Sequence, residues 1–190
     1  MLLVDNSDKF VNKFKLKSSR LKNWDYSSPG IYFITICSYN HNNFFGKIFN
    51  HQMELSKIGN VVKSELLKTF KIRKNIKLHE WIIMPNHIHI LMEIKYQIKK
   101  NFIVETSQRG VSTEKKTINA IKKWKPNSIS SIICQFKSIC TKIIKKQNMW
   151  FSWQSRFHDE IIKDKKRYYV IKKYIQNNVK NWQKDNFYKN

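Results

Sequence analysis

The chain has 190 residues, of which 41% are hydrophobic and 14% aromatic, with only four glycines and three prolines. This composition excludes a disordered chain and suffices for one compact core, so a single domain over 1–190 is predicted. The 37 lysines and arginines outnumber the 13 acidic residues and give a formal net charge of +24. Such an excess favours nucleic acid as the partner over a membrane, because no apolar run approaches spanning length. A lysine-rich composition that reflects an A+T-rich genome is the alternative explanation of the charge.

The N-terminal segment and the cysteines favour a reducing compartment. The segment MLLVDNSDKF has no basic region followed by a sustained apolar run, so it is not a secretory signal, and a cytoplasmic location is predicted. Cys37, Cys134 and Cys140 form no CxxC pair and no zinc-like array, and they are predicted to be reduced structural thiols.

The predicted secondary structure alternates between strands and helices. Period-two patterns rich in β-branched and aromatic residues indicate strands, and an apolar period near 3.6 indicates helices. The predicted elements are a strand at 31–38, an extended stretch at 44–56 that turns at Gly46, a helix at 56–72, strands at 76–84 and 87–94, a helix from Ser128 to about 146, a short strand within RFHDEII, and a helix at about 165–183. The polar, basic segment 95–127 is predicted to be a flexible insertion. Antiparallel strands with helices on one face predict an α+β fold of ferredoxin-like type.

Two histidines occupy alternate positions of the strand at 87–94. Successive side chains of a strand point to opposite faces, so His87 and His89 project together while the apolar residues between and after them face the other way. The pair is therefore partly exposed, hydrogen-bonded within a protein wall, or bound to one metal ion. Two neutral imidazoles on adjacent same-face positions are pre-aligned as metal ligands.

The last predicted helix carries polar residues beside its apolar stripe. Tyr174 and Asn178 lie one turn apart on the margin of the stripe formed by Ile171, Ile175, Val179 and Trp182. Either they are ordinary boundary residues, or the tyrosine hydroxyl has a chemical role.

Five segments of the chain together match one family. RLKNWDYSSPGIYFITIC, MPNHIHI, NSISSIICQFKS, WQSRFHDEII and YIQNNVKNW resemble the REP-associated tyrosine transposases, which belong to the single-tyrosine branch of the HUH endonuclease superfamily. The similarity extends from about Arg20 to Phe187, nearly the whole chain.

The resemblance implies an activity and a set of site residues. It implies a metal-dependent single-strand DNA endonuclease and strand transferase that acts at palindromic repeat or hairpin DNA through a 5′-phosphotyrosine intermediate. His87 and His89 would hold a divalent cation, Mg²⁺ or Mn²⁺, with Asn178 as the third ligand, and Tyr174 on the C-terminal helix would be the nucleophile. The sequence departs from the family at Val179, where relatives usually have proline, which puts the geometry of the helix end in question.

Basic and aromatic side chains supply candidate DNA contacts. The lysines predicted to follow the DNA backbone lie on the helix from Ser128 and are Lys137, Lys142, Lys145 and Lys146. The aromatic residues that either stack on bases or belong to the core are Trp124, Trp150, Trp153 and Phe157. No partner is predicted for His41, His51 or His79.

Other functions remain open at the level of sequence. A non-catalytic hairpin DNA-binding or RNA-binding protein derived from a transposase has the same charge. The resemblance is compatible with a monomer or a homodimer associated with the nucleoid.

Overall fold

The fold is built on one antiparallel sheet, and the computed structural model describes residues 24–97 and 127–188. The elements in chain order are β1 (Gly30–Cys37), β2 (Gly46–Phe49), β3 (Gln52–Leu55), α1 (Lys57–Ile72), β4 (Ile76–Ile83), β5 (His87–Ile94), α2 (Ile129–Lys146), β6 (His158–Ile162) and α3 (Lys165–Asn177). Four strands form the sheet in the order β4-β5-β1-β6, and β2 pairs with β3 in a separate hairpin. All pairings in the main sheet are antiparallel, which confirms the predicted α+β class.

The two faces of the sheet are covered by different helices. On β5, Ile88 and Ile90 point into the larger core, which α1 and α2 complete on that face. The opposite face presents His87, His89 and Leu91, and Leu91 packs there against the apolar side of α3. α1 and α2 thus share one face, and the C-terminal helix lies on the face that carries the histidines.

Side-chain caps define where the helices begin. Ser56 accepts a hydrogen bond from the backbone N–H of Gly59, and Ser128 accepts one from that of Ser131. Such caps satisfy N–H groups that the first turn of a helix leaves unpaired. The predicted starts of α1 and α2 are therefore confirmed.

Two predicted boundaries are wrong. The chain turns at Asn50 and His51, whose φ values of 47° and 58° suit the tight turn of a two-residue hairpin, whereas Gly46 begins β2. α3 ends at Asn177 rather than near 183. Asparagines are weak helix formers, and the N–H of Asn178 bonds the nearer carbonyl of Ile175, which tightens the end of the helix.

The predicted basic insertion falls almost entirely outside the described residues, as does Trp124. The single-domain organisation stays a prediction. None of the described helices has the length and hydropathy that crossing a membrane requires.

Candidate metal and tyrosine centre

His87 and His89 face one another on the buried surface of β5. Their side chains leave the strand on the same side, and the residues are 0% and 2% exposed. The Nε2 atoms lie 3.1 Å apart. The prediction that the two imidazoles project together is confirmed.

Hydrogen bonds at the other nitrogens orient both rings. Asn86 donates its amide N–H to the carbonyls of His41 and Phe187, so its Oδ1 faces His87 Nδ1 at 2.8 Å. An amide oxygen only accepts, so His87 carries its proton on Nδ1 and has a lone pair on Nε2. Thr35, the cross-strand partner of His89, places Oγ1 2.9 Å from Nδ1. This hydroxyl can accept a hydrogen bond from a protonated Nδ1, and in that tautomer His89 Nε2 has a lone pair.

Burial keeps both rings neutral. It lowers the pKa of His87 to about 3, and the nearby His41 adds to this effect. Burial also lowers the pKa of His89 to about 3, with a further contribution from His87 that the Asp185 carboxylate opposes. Neutral imidazole is the form that binds metal ions, so both rings are available as ligands at physiological pH.

α3 places Tyr174 beside the histidines. Ile171 and Ile175 bury their side chains against the sheet and fix the rotation of the helix. The Tyr174 hydroxyl lies 3.1 Å from His89 Nε2 and 3.4 Å from the nearer carboxylate oxygen of Asp185, although the residue as a whole is 43% exposed. Burial of the hydroxyl and the Asp185 charge raise the pKa of Tyr174, so the phenol is protonated at neutral pH.

Asp185 joins this centre, and sequence reasoning missed it. The carboxylate Oδ2 lies 4.0 Å from His87 Nε2, and its side chain is 3% exposed. Oδ1 accepts the backbone N–H of Phe187 at 2.8 Å. The residue follows the end of α3 by eight positions and has no periodic relation to the histidines; its one signal was an acidic residue in a basic C-terminal segment.

Asn178 lies at the same centre. It is 2% exposed, and its amide donates to Asp185 Oδ2 at 3.2 Å. Its Oδ1 is buried and has no hydrogen-bond partner among the described residues. Next to Val179, where the sequence departs from the family that it resembles, Asn178 stays in the right-handed helical conformation directly after α3.

The donor set fits a divalent cation. His87 Nε2, His89 Nε2 and a carboxylate oxygen of Asp185 all lie within 4.8 Å of one another. A separation near 3 Å is what two neighbouring ligands have on an octahedral ion with bonds of about 2.1 Å. Within the described ranges, no lysine or arginine lies within salt-bridge distance of the buried Asp185. A buried carboxylate is costly without a countercharge, and a bound cation would supply one.

The four predicted DNA-contacting lysines do not share one environment. Lys142, Lys145 and Lys146 are exposed on α2. The Lys137 ammonium is instead half-buried, donates to the carbonyls of Gln154 and Ser155, and lies 5.8 Å from the centre of the Trp153 ring.

The predicted stacking residues differ in the same way. Trp150 is 67% exposed. Trp153 packs on Phe151 and donates its indole N–H to the carbonyl of Lys137, and Phe157 is half-buried against the larger core.

The fold is similar to that of a solved transposase structure. A solved structure of the REP-associated tyrosine transposase bound to a REP hairpin aligns with a TM-score of 0.52 and 16% sequence identity, over 84% of this chain and 72% of that chain. The resemblance seen in the sequence is thereby confirmed at the level of the fold.

A second similarity is found at the level of sequence. A Haemophilus influenzae protein, described only as an uncharacterized protein, is 36% identical over 173 residues, which is 90% of this chain and 92% of the relative. The chain belongs to the family of that Haemophilus protein. No protein-family model matches the sequence.

Proposed function

We propose that the protein is a metal-dependent single-strand DNA endonuclease and strand transferase that acts at palindromic repeat or hairpin DNA. The observation that carries the proposal is the position of the Tyr174 hydroxyl, 3.1 Å from His89 Nε2, which itself lies 3.1 Å from His87 Nε2. The transposase fold and the REP hairpin in the related structure support DNA as the substrate.

The side chains at the centre would hold the cation. His87, His89 and Asp185 would bind the ion, and the unpaired amide oxygen of Asn178 is available as a further ligand. When bound, Mg²⁺ or Mn²⁺ withdraws charge from the scissile phosphate and stabilises the transition state. A carboxylate in the set suits these two ions better than imidazoles alone do.

Tyr174 acts as the nucleophile. Its oxygen forms a bond to phosphorus while the bond from phosphorus to the 3′-oxygen breaks, leaving a 5′-phosphotyrosine and a free 3′-hydroxyl. The proton that the phenol loses is balanced by the one that the released 3′-oxygen gains. Because the phosphodiester energy is kept in the tyrosine ester, a second 3′-hydroxyl can reverse the step and join strands.

Charge and exposure support a nucleic-acid partner. The formal net charge of +24 attracts phosphate, and Lys142, Lys145 and Lys146 present exposed ammonium groups on α2. The reaction needs an unpaired strand at the centre, so the substrate is single-stranded DNA beside a hairpin. A protein that acts on chromosomal repeats would work in the cytoplasm at the nucleoid, as a monomer or a homodimer.

A covalent-adduct assay tests the proposal. Purified protein is incubated with a labelled DNA hairpin with unpaired flanks, in Mg²⁺, in Mn²⁺ or in EDTA, and analysed on a denaturing gel. We expect a protein-linked DNA band with either metal and none in EDTA. If the hairpin binds in a native gel but never becomes linked, the chain is a DNA-binding protein without this chemistry. If an RNA hairpin of the same sequence binds more tightly at the same salt concentration, the substrate assignment is wrong.

A further inference from the structure

A groove follows one side of α2 where it faces the segment 153–157. Its volume is about 590 Å³. Ile133, Trp153 and Phe157 contribute an apolar floor, and Lys142 and Lys145, three residues apart on the helix, lie at its edge. We call this cavity the α2 groove.

The floor of the α2 groove is held rigidly. The Trp153 ring packs on Phe151, with the ring centres 4.8 Å apart, and its indole N–H bonds the Lys137 carbonyl at 3.2 Å. The Lys137 ammonium bonds the carbonyls of Gln154 and Ser155 and so joins α2 to the opposite wall. Lys137 therefore belongs to the wall, and the mobile positive charge of the α2 groove comes from the two lysines at its edge.

The combination of an apolar floor and a cationic edge selects one kind of ligand. Duplex DNA presents phosphates and polar groove edges, and its bases are already stacked, so it has no apolar face to place on Trp153. An unpaired strand has exposed base faces for the floor and phosphates for the lysines. We propose that the α2 groove binds the unpaired DNA strand that flanks the hairpin, with bases against the floor and phosphates at Lys142 and Lys145.

One wall of the α2 groove is attached to the sheet beside the histidines. Cys37 is the cross-strand partner of His87, and its carbonyl accepts the N–H of Gln154, in the segment that forms this wall, at 3.0 Å. The inference rests on the proposed function only in taking DNA as the partner.

A native cysteine reports on the α2 groove directly. Cys134 lines it and is exposed, whereas Cys37 and Cys140 are buried with thiol pKa values raised to about 12. A maleimide should therefore label Cys134 selectively, with Cys134→Ser as the unlabelled control. The labelling rate is measured in EDTA with saturating hairpin DNA, either with unpaired flanks or blunt, and binding is followed in parallel by gel shift.

We expect the flanked hairpin to slow labelling at least about fivefold and the blunt hairpin to leave it unchanged. Equal protection by both DNAs would mean that duplex fills the α2 groove and would overturn the inference. If the flanked hairpin shifts the protein while Cys134 stays reactive, the α2 groove assignment alone fails. If neither DNA shifts the protein, the proposed function fails with it.

Paired lysine variants give a second readout. Lys142→Ala with Lys145→Ala should weaken binding of the flanked hairpin about tenfold and leave the blunt hairpin unaffected. Lys146→Ala is the matched control, because Lys146 is exposed on the same helix and does not line the α2 groove. A loss of the same size in the control, or an equal loss for both DNAs, would show that α2 acts only through its overall charge.

Discussion

Two clusters on the α3 face of the sheet have similar parts and different chemistry. In the first, the metal-site cluster, His87 and His89 of β5 meet Tyr174 and Asp185. In the second, the bulge cluster, His79 of β4 meets Tyr168 of α3 and Glu93 of β5. Each combines a strand histidine, a tyrosine of the same helix and an acid.

The hydrogen bonds of the bulge cluster leave no lone pair for a metal. His79 Nε2 donates a hydrogen bond to the Glu93 carboxylate at 2.9 Å, and Nδ1 accepts one from the Tyr168 hydroxyl at 3.0 Å. In the metal-site cluster the accepting group is Asn86, on the outer nitrogen, so the Nε2 lone pair of His87 points at His89. A histidine whose two ring nitrogens both make hydrogen bonds, like His79, links secondary-structure elements. A histidine whose hydrogen-bond acceptor lies at the outer nitrogen, like His87, keeps the Nε2 lone pair for an ion.

The largest difference between the two clusters is expected in covalent adduct formation when each tyrosine hydroxyl is removed. Tyr174→Phe should reduce covalent adduct formation by roughly a thousandfold or more, because no other group supplies the attacking oxygen. Tyr168→Phe on the same helix should stay within about threefold of wild type. The denaturing-gel assay measures both, and equal losses would mean that the helix position, rather than one phenol, matters.

The second-largest effect is expected on metal affinity when one histidine is removed from each cluster in turn. His89→Ala should weaken Mn²⁺ binding by more than about a hundredfold, since even the loss of an outer hydrogen bond costs 10–100-fold. His79→Ala should leave Mn²⁺ affinity unchanged. Titration calorimetry on both variants decides the matter, and a large loss in His79→Ala would place the ion elsewhere.

The two acids provide an isosteric comparison. Asp185→Asn should weaken Mn²⁺ binding by roughly 10–100-fold, because it removes the charge that the buried cation neutralises. Glu93→Gln, which keeps the shape of the acid in the bulge cluster, should have no such effect. An unchanged affinity in Asp185→Asn would leave Asp185 as a hydrogen-bond acceptor for Tyr174 and Asn178 only.

The metal-site histidines should make the metal-free protein sensitive to acid. The unfolded chain takes up a proton on each ring below about pH 6.5, whereas in the folded protein the pKa of both rings is about 3. Stability is therefore lost as the pH falls from 6.5 toward 3, because over this range the unfolded chain binds protons that the folded protein does not. Urea unfolding from pH 7 to pH 4 measures the slope. It should be much shallower in His87→Gln with His89→Gln, and an equal slope would assign the acid sensitivity to other groups.

The smallest expected effect is on the bulge cluster itself. Tyr168→Phe leaves His79 Nδ1 without its hydrogen-bond donor and should lower the free energy of unfolding by about 1 kcal/mol. Urea denaturation of the variant and of Tyr169→Phe, which alters an exposed neighbour, provides the comparison. A change below about 0.3 kcal/mol would mean that the cluster does not stabilise α3.

Periodic patterns predicted the parts of the centre that lie on regular elements. Alternation along β5 places His87 and His89 on one face. The helical spacing left Tyr174, on α3, and Asn178, directly after it, open as ordinary boundary residues, and only the resemblance to the transposases gave them a role. Their proximity could not be predicted from period alone, because it depends on α3 packing on the histidine face of the sheet.

The remaining parts depend on interruptions of regular structure. Asp185 reaches the centre because α3 ends at Asn177 and the chain then folds back toward the sheet. The same fold-back buries Trp182, whose ring centre lies 6.0 Å from that of His87. His79 lies at a β-bulge of β4: the pairing with β5 shifts register between Leu78 and Glu80, so His79 has no opposite residue on β5. Such a bulge re-aims a side chain without leaving a clear pattern in the sequence.

The most direct test of the account is to identify the residue that carries DNA after reaction with a flanked hairpin in Mn²⁺. The adduct is digested with nuclease and protease, and the modified peptide is located by mass spectrometry. We expect a 5′-phosphonucleotide on Tyr174 and a free 3′-hydroxyl on the released strand. Modification of Tyr168 or of any other residue, or a nicked product with no linked peptide, would contradict it.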